Sequence, residues 1–136
     1  GIMKKYNVIV VFDCEMKKTL MCKRAKEPYL GMYNLVGGKI EKEHDGLNEA
    51  YRELREETNI SEDDINLTHF MNIEYVAMNK SLEIYFGILN KEVKLIEEVN
   101  ELEWVPINEN FFDMKKYAGE GNIGPIIKEI QLFMNK

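Results

Sequence analysis

The chain has 136 residues, of which 45% are hydrophobic, enough for one compact domain (1–136) with a sizeable core. A formal net charge of −6 speaks against a nucleic-acid polymer as main partner, because binding a phosphate backbone needs a basic face. No apolar run approaches the ~18 residues of a membrane span and no basic, apolar leader is visible, so a cytoplasmic protein without a membrane partner is expected.

Residues 6–12 are β-branched and aromatic and read as a buried strand; residues 13–18 read as a turn and 19–23 as a returning strand, making a hairpin. The two cysteines, Cys14 and Cys22, are expected as buried free thiols, not as a disulfide or a catalytic pair. Lys23, Arg24 and Lys26 cluster at the end of the second strand. Either this is an ordinary basic loop or it touches phosphate, and Arg24 is then the candidate, because a guanidinium fork suits phosphate oxygens. Residues 32–36 lead into Gly37-Gly38, where the backbone can turn sharply or be approached closely.

Leu47, Ala50, Tyr51, Leu54 and Thr58 then recur at i, i+3, i+4, i+7 and i+11, the stripe of an amphipathic helix. Its other positions gather Glu49, Glu53, Glu56 and Glu57, with Arg52 and Arg55 among them. Residues three or four apart are helix neighbours, so Glu53 lies beside Glu49 on one side and Glu56 and Glu57 on the other. A solvated face laced with ion pairs is one reading of such a pattern. The other is a set of hard oxygen ligands that repel one another when empty, which suits a hard divalent cation such as Mg²⁺.

Residues 65–78 read as one long strand or two broken ones, followed by a turn at 79–81 and a strand at 82–89. His69 is expected to be structural, since no second histidine stands at metal-ligand spacing. Residues 91–103 are acidic and irregular, and Trp104, Val105 and Pro106 close them with a short strand. Residues 108–116 are expected as a short helix with Phe111 and Phe112 turned inward. A glycine-rich turn at 119–124 ends in Pro125, which favours a first helical position. Ile126, Ile127, Ile130, Phe133 and Met134 give a second amphipathic helix. Asn122 either serves the turn or reads a base edge, since an amide offers both donor and acceptor. The order of elements implies an α+β fold with helices on either side of a mixed sheet.

The stretch from Gly38 to Ile60 resembles the signature of the Nudix hydrolases, G-x5-E-x7-R-E-U-x-E-E-x-G-U with U a bulky aliphatic residue. Gly38, Arg52, Glu53, Leu54, Glu56, Glu57 and Ile60 match, with Gly37, Lys39, Glu41 and Ala50 as usual flanking residues. His44 replaces the first glutamate, which in the family braces the loop partly through the motif arginine; Glu43 is a neighbouring substitute. Asn59 replaces the glycine, and asparagine is the next best residue for a left-handed helix cap. The resemblance covers nearly the whole chain, although only residues 38–60 are specific.

It implies a Nudix-like α/β/α sandwich in which Glu53, Glu56, Glu57 and the Gly38 carbonyl hold Mg²⁺, with Mn²⁺ as an alternative. Arg52 is implied to orient a glutamate and Arg24 to contact phosphate. Glu98 of the acidic loop is implied as general base, with Glu97 and Glu101 close behind, or Glu53 itself. The implied reaction is hydrolysis of a nucleoside diphosphate linked to X, and a short chain of this kind resembles the MutT-type nucleoside triphosphate pyrophosphatases that act on 8-oxo-dGTP-like nucleotides. ADP-ribose or a nucleotide sugar is the alternative substrate, and a nucleotide-binding sensor without catalysis the alternative role. The partner is thus a small nucleotide; the oligomeric state is not readable.

Overall fold

In a computed structural model, residues 3–41 and 45–136 are described. Six strands, β1 (Lys4–Phe12), β2 (Lys18–Lys23), β3 (Tyr33–Lys39), β4 (Thr68–Tyr75), β5 (Lys80–Ile88) and β6 (Glu101–Pro106), form one mixed sheet in the order β4-β5-β1-β3-β2-β6. Only β1 and β5 run parallel, in register from Lys4↔Lys80 to Phe12↔Ile88. Helix α1 (Gly46–Thr58) covers one face and α2 (Ile123–Met134) the other, which is the α/β/α sandwich expected.

Alternation along β1 explains the two cores. Ile9 and Val11 join Leu20, Val36, Ala50, Leu54 and Ile60 under α1. Val10 and Phe12 point the other way, to Ile84, Ile123, Ile126, Ile127 and Ile130 under α2. The central strand is therefore apolar on both faces, as a strand covered by helices on two sides must be.

Several expectations are corrected. The β1–β2 hairpin survives only as one antiparallel pair, Phe12↔Thr19, because β3 inserts between the two strands beyond the turn. Cys14 lies exposed in that turn, where Asp13 gathers the backbone N–H groups of Lys17 and Lys18; Cys22 alone is buried. Residues 108–116 form turns, not a helix: Asn110 Oδ1 accepts from Phe112 N and Asp113 Oδ1 from Lys115 N, local bonds that compete with helical ones. Phe111 is buried there, but Phe112 is half exposed. β4 stops at Tyr75, and a 3₁₀ turn (Val76–Met78) with Asn79 in the left-handed region reverses the chain into β5. Leu47, placed on the buried stripe of α1 by spacing, is exposed. Pro125 is the third helical residue of α2, still within the turn whose N–H groups have no helical acceptor.

Candidate functional site

The site is built where β3 meets α1. The helix starts on Asp45, whose side chain accepts from Asn48 N at 3.3 Å, and ends on Asn59 at φ 74°, the left-handed cap expected from the sequence. Between these caps, spacing turns Glu49, Glu53 and Glu57 toward the sheet side; Glu49 and Glu57 are buried.

The glycine pair packs directly against these carboxylates. Gly37 N–H donates to Glu57 Oε2 at 3.3 Å. A Cβ on Gly38 would lie 2.6 Å from the Glu53 carboxyl carbon, so only glycine leaves that carboxylate its place over the backbone. Burial is the main cause that raises the pKa of Glu53, with repulsion from Glu56, Glu49 and Glu41 added and attraction to Arg52 opposing. Burial likewise pushes Glu57 up to about 7, with the charge of Glu53 adding, while hydrogen bonds from Gly37, Cys22 and Asn100 pull the other way. Burial, and then the charge of Glu57, push the Cys22 thiol up to about 12, so Cys22 stays neutral beside the site, its Sγ donating to Leu35 O at 3.9 Å.

Arg52 ties the acids together. Its guanidinium donates to Glu49 through Nε at 3.2 Å and Nη2 at 3.0 Å, and to Glu56 through Nη1 at 2.6 Å; Glu53 Oε2 lies 3.5 Å from Nη2. Arg52 thus orients glutamates, and its principal buried partner is Glu49. His44 and Glu43, with the loop-bracing role considered for them, lie outside the described residues.

The donor set fits a hard divalent cation: oxygen ligands only, a buried Glu57 and a half-buried Glu53 whose carboxyl pKa values are raised mainly by burial, and a backbone cradle that a Cβ would fill. Among the described residues no three acidic, cysteine or histidine side chains already stand in metal-binding spacing. Glu56 is turned to Arg52 and Glu57 to Gly37, so cation binding requires those two carboxylates to turn, a side-chain motion that leaves the backbone in place.

Behind the glycines opens a cavity of about 370 Å³ whose wall includes Arg24, Lys39, Lys80 and Asn122 together with Gly37 and Gly38. Arg24 and Asn122, singled out far apart in sequence, therefore share one cavity. Arg24 Nε donates to Pro28 O at 2.7 Å, which fixes the guanidinium at the rim. Asn122 precedes α2 and its Nδ2 donates to Tyr75 OH at 3.3 Å. Lys80 Nζ stands 5.5 Å from the ring centre of Tyr6. Glu98 is exposed in the acidic loop, which is anchored close by: Asn100 hydrogen-bonds Glu57 and accepts from Ala25 N at 3.3 Å. Glu97 instead caps backbone, accepting from Leu102 N at 2.7 Å. His69 lies exposed on β4, where it hydrogen-bonds Asn72 at 2.7 Å.

Sequence reasoning missed Asn7, Asn100, Lys80 and the pairing of Cys22 with Glu57. These residues come from β1, a loop, β5 and β2, and only the sheet order brings them beside the helix. The one signal on offer was Asn7, a polar residue inside an otherwise apolar strand.

A family model described as the NUDIX domain matches residues 3–128. The chain belongs to the Nudix family and is a hydrolase acting on pyrophosphate bonds. Solved structures of similar fold include an Ap4A hydrolase from C. elegans in a binary complex, with a TM-score of 0.77 and 18% identity over 97% of this chain and 98% of that one. The NUDIX domain of NrtR from Shewanella oneidensis, complexed with ADP ribose, aligns with a TM-score of 0.75 and 16% identity over 98% of this chain and 90% of that one. A MutT protein from Methanosarcina mazei Go1 aligns with a TM-score of 0.69 and 18% identity over 100% and 98% of the two chains. No curated protein sequence matches.

Proposed function

We propose that the protein hydrolyses a nucleoside triphosphate, of the oxidised 8-oxo-dGTP-like kind, to the monophosphate and pyrophosphate with Mg²⁺, Mn²⁺ being an alternative ion. The observation that carries this is the meeting of two carboxylates, the half-buried Glu53 and the buried Glu57, with a glycine pair at the wall of a cavity bearing three cations, Arg24, Lys39 and Lys80. The glycine pair is what joins them: it packs against the carboxylates and also borders the cationic cavity. Glu53, Glu56, Glu57 and the Gly38 carbonyl would hold Mg²⁺, which supplies charge neutralisation of the diphosphate and acidifies water. Arg24 binds and orients the phosphate chain, and its fork stabilises charge developing on the phosphoryl oxygens. Glu98, on the loop anchored at Asn100, takes the proton of the attacking water, with Glu53 as the other candidate. Arg52 keeps Glu49 and Glu56 in orientation and does not touch substrate. Asn122 faces the nucleoside from the cavity wall and reads its base edge. The setting is cytoplasmic; no described helix is long and apolar enough to cross a membrane.

A second reading, cleavage of ADP-ribose or a nucleotide sugar, is supported by the likeness to the NUDIX domain complexed with ADP ribose. Product analysis with Mg²⁺ and a panel of canonical and oxidised nucleotides, ADP-ribose, sugar nucleotides and dinucleoside polyphosphates separates the two. Monophosphate and pyrophosphate from one triphosphate, lost with EDTA and in Glu53→Gln, is the expected result. Full activity in correctly folded Glu53→Gln sinks the assignment, and metal binding without turnover of any compound favours a nucleotide sensor.

A further inference from the structure

Asn7 stands in register with Gly38 across the antiparallel β1–β3 pair. It is 2% exposed, and alternation along β1 puts it on the same side of the strand as Ile9 and Val11, the side covered by α1. Its Oδ1 accepts from Gly38 N at 2.9 Å. That bond settles the orientation of the amide, since the nitrogen end of the side chain has no acceptor to offer an N–H. Nδ2 is then left as the buried side-chain atom without a hydrogen-bond partner among the described residues. An unmade bond of this kind costs a fold stability; an apolar residue of similar shape would remove the orphaned nitrogen but would leave Gly38 N–H without its acceptor. The requirements of the fold therefore explain the oxygen end of Asn7 but not its unpartnered nitrogen.

We propose that Asn7 is a positioning residue of the metal site, holding the Gly38 peptide so that the glycine is presented to the cation beneath Glu53. Three constraints then converge on the glycine pair. Gly37 N–H is held by Glu57, Gly38 N–H by Asn7, and the absent Cβ of Gly38 leaves room for the Glu53 carboxylate. These bonds fix the peptide planes leading into Gly38, so its own carbonyl, one residue rotation further on, starts from a defined position and not from the many conformations open to a free glycine pair. The unpartnered Nδ2 lies on the same side of the sheet, where the oxygens surrounding a bound cation would offer it an acceptor. The inference rests on Gly38 and Glu53 forming a cation site.

The test is the affinity for Mn²⁺ alone, read by electron paramagnetic resonance of the free ion, in wild type, Asn7→Leu, Asn7→Asp and Glu53→Gln. Asn7→Leu, of similar volume and without the amide, is expected to bind Mn²⁺ at least 10-fold more weakly while keeping the wild-type circular dichroism spectrum. Asn7→Asp retains an oxygen where Oδ1 stood and is expected to bind within about 3-fold of wild type or tighter. In steady state the Leu variant should raise the Mg²⁺ concentration for half-maximal rate more than the nucleotide KM. A folded Leu variant with wild-type Mn²⁺ affinity overturns the proposal, as does an Asp variant as weak as the Leu variant. Should the Leu variant not fold, Asn7→Ser takes its place, with the same loss expected and the same result overturning. Wild-type protein whose Mn²⁺ binding is unaffected by Glu53→Gln would instead sink the cation-site reading itself.

Discussion

Arg52 Nη1 donates to Glu56 Oε2 at 2.6 Å, so one of the four acids of the helix is held by its own neighbour one turn back. The same guanidinium grips Glu49 by two bonds, but the two partners differ: the Glu56 side chain is 57% exposed and that of Glu49 8%. Exposed pairs contribute about 0–1 kcal/mol, whereas removing the partner of a buried charge costs several-fold more. Glu56→Gln is therefore expected to leave stability within about 1 kcal/mol of wild type. Arg52→Ala should lose about 1–3 kcal/mol, mostly through Glu49. Urea denaturation of the single variants and of Arg52→Ala/Glu49→Gln checks this; the double variant should recover part of the loss.

Glu57 makes the metal-free protein sensitive to pH. Its folded pKa, about 7, lies above the ordinary carboxylate value of 4.5 because burial penalises the charge. The folded state thus holds the proton more tightly than the unfolded one, and the associated stability is complete below about pH 4.5 and lost as pH rises through about 7. The loss is on the order of 3 kcal/mol if Glu57 acts alone. Thermal melts in EDTA should fall between pH 5 and pH 8, and Glu57→Gln should flatten the curve. Mg²⁺ should raise the melting temperature more at pH 8 than at pH 5, since protons and the ion compete for the same carboxylate.

The two glycines should fail in different ways. Gly37 has φ 151°, and a Cβ there would run into the backbone carbonyl of Asn7, which cannot yield without breaking the sheet. Gly37→Ala is expected to cost about 3 kcal/mol or more and to give little folded protein. At Gly38 the obstacle is the end of the Glu53 side chain, which can swing away. Gly38→Ala should fold with a near-native denaturation midpoint and lose Mn²⁺ affinity and turnover together.

In the proposed mechanism, Glu97 and Glu98 of the acidic loop have separate duties. Glu98→Gln should lower kcat by 10²–10⁴-fold, the range for removal of a general base, with little change in the melting temperature. Glu97→Gln removes an acceptor from Leu102 N, so it should loosen the start of β6 and leave kcat within a few-fold of wild type. Equal effects of the two on kcat would refute the distinction.

Much of this protein is written locally. The spacing of Ala50, Leu54 and Thr58 fixes α1 and its buried side, Asn59 its end, and the box from Gly38 to Ile60 the family, because helix periodicity and capping depend on residues within a few positions of one another. The same locality misled at residues 108–116, where Asn110 and Asp113 take backbone bonds that a helix would need. Only the tertiary structure decided that Glu49 and Glu57 are buried while Glu56 stays in water, although all carry the same charge on one helix. That difference is set by which sheet residues lie beneath each turn: Gly37 under Glu57 and Gly38 under Glu53. The placement of Asn7 against Gly38 and of Arg24 beside Asn122 follows from strand order, and no local pattern encodes which strand inserts between two others. Identity of the family lies in the sequence; the raised pKa values of Glu53 and Glu57 are a product of burial, which exists only once the sheet has formed.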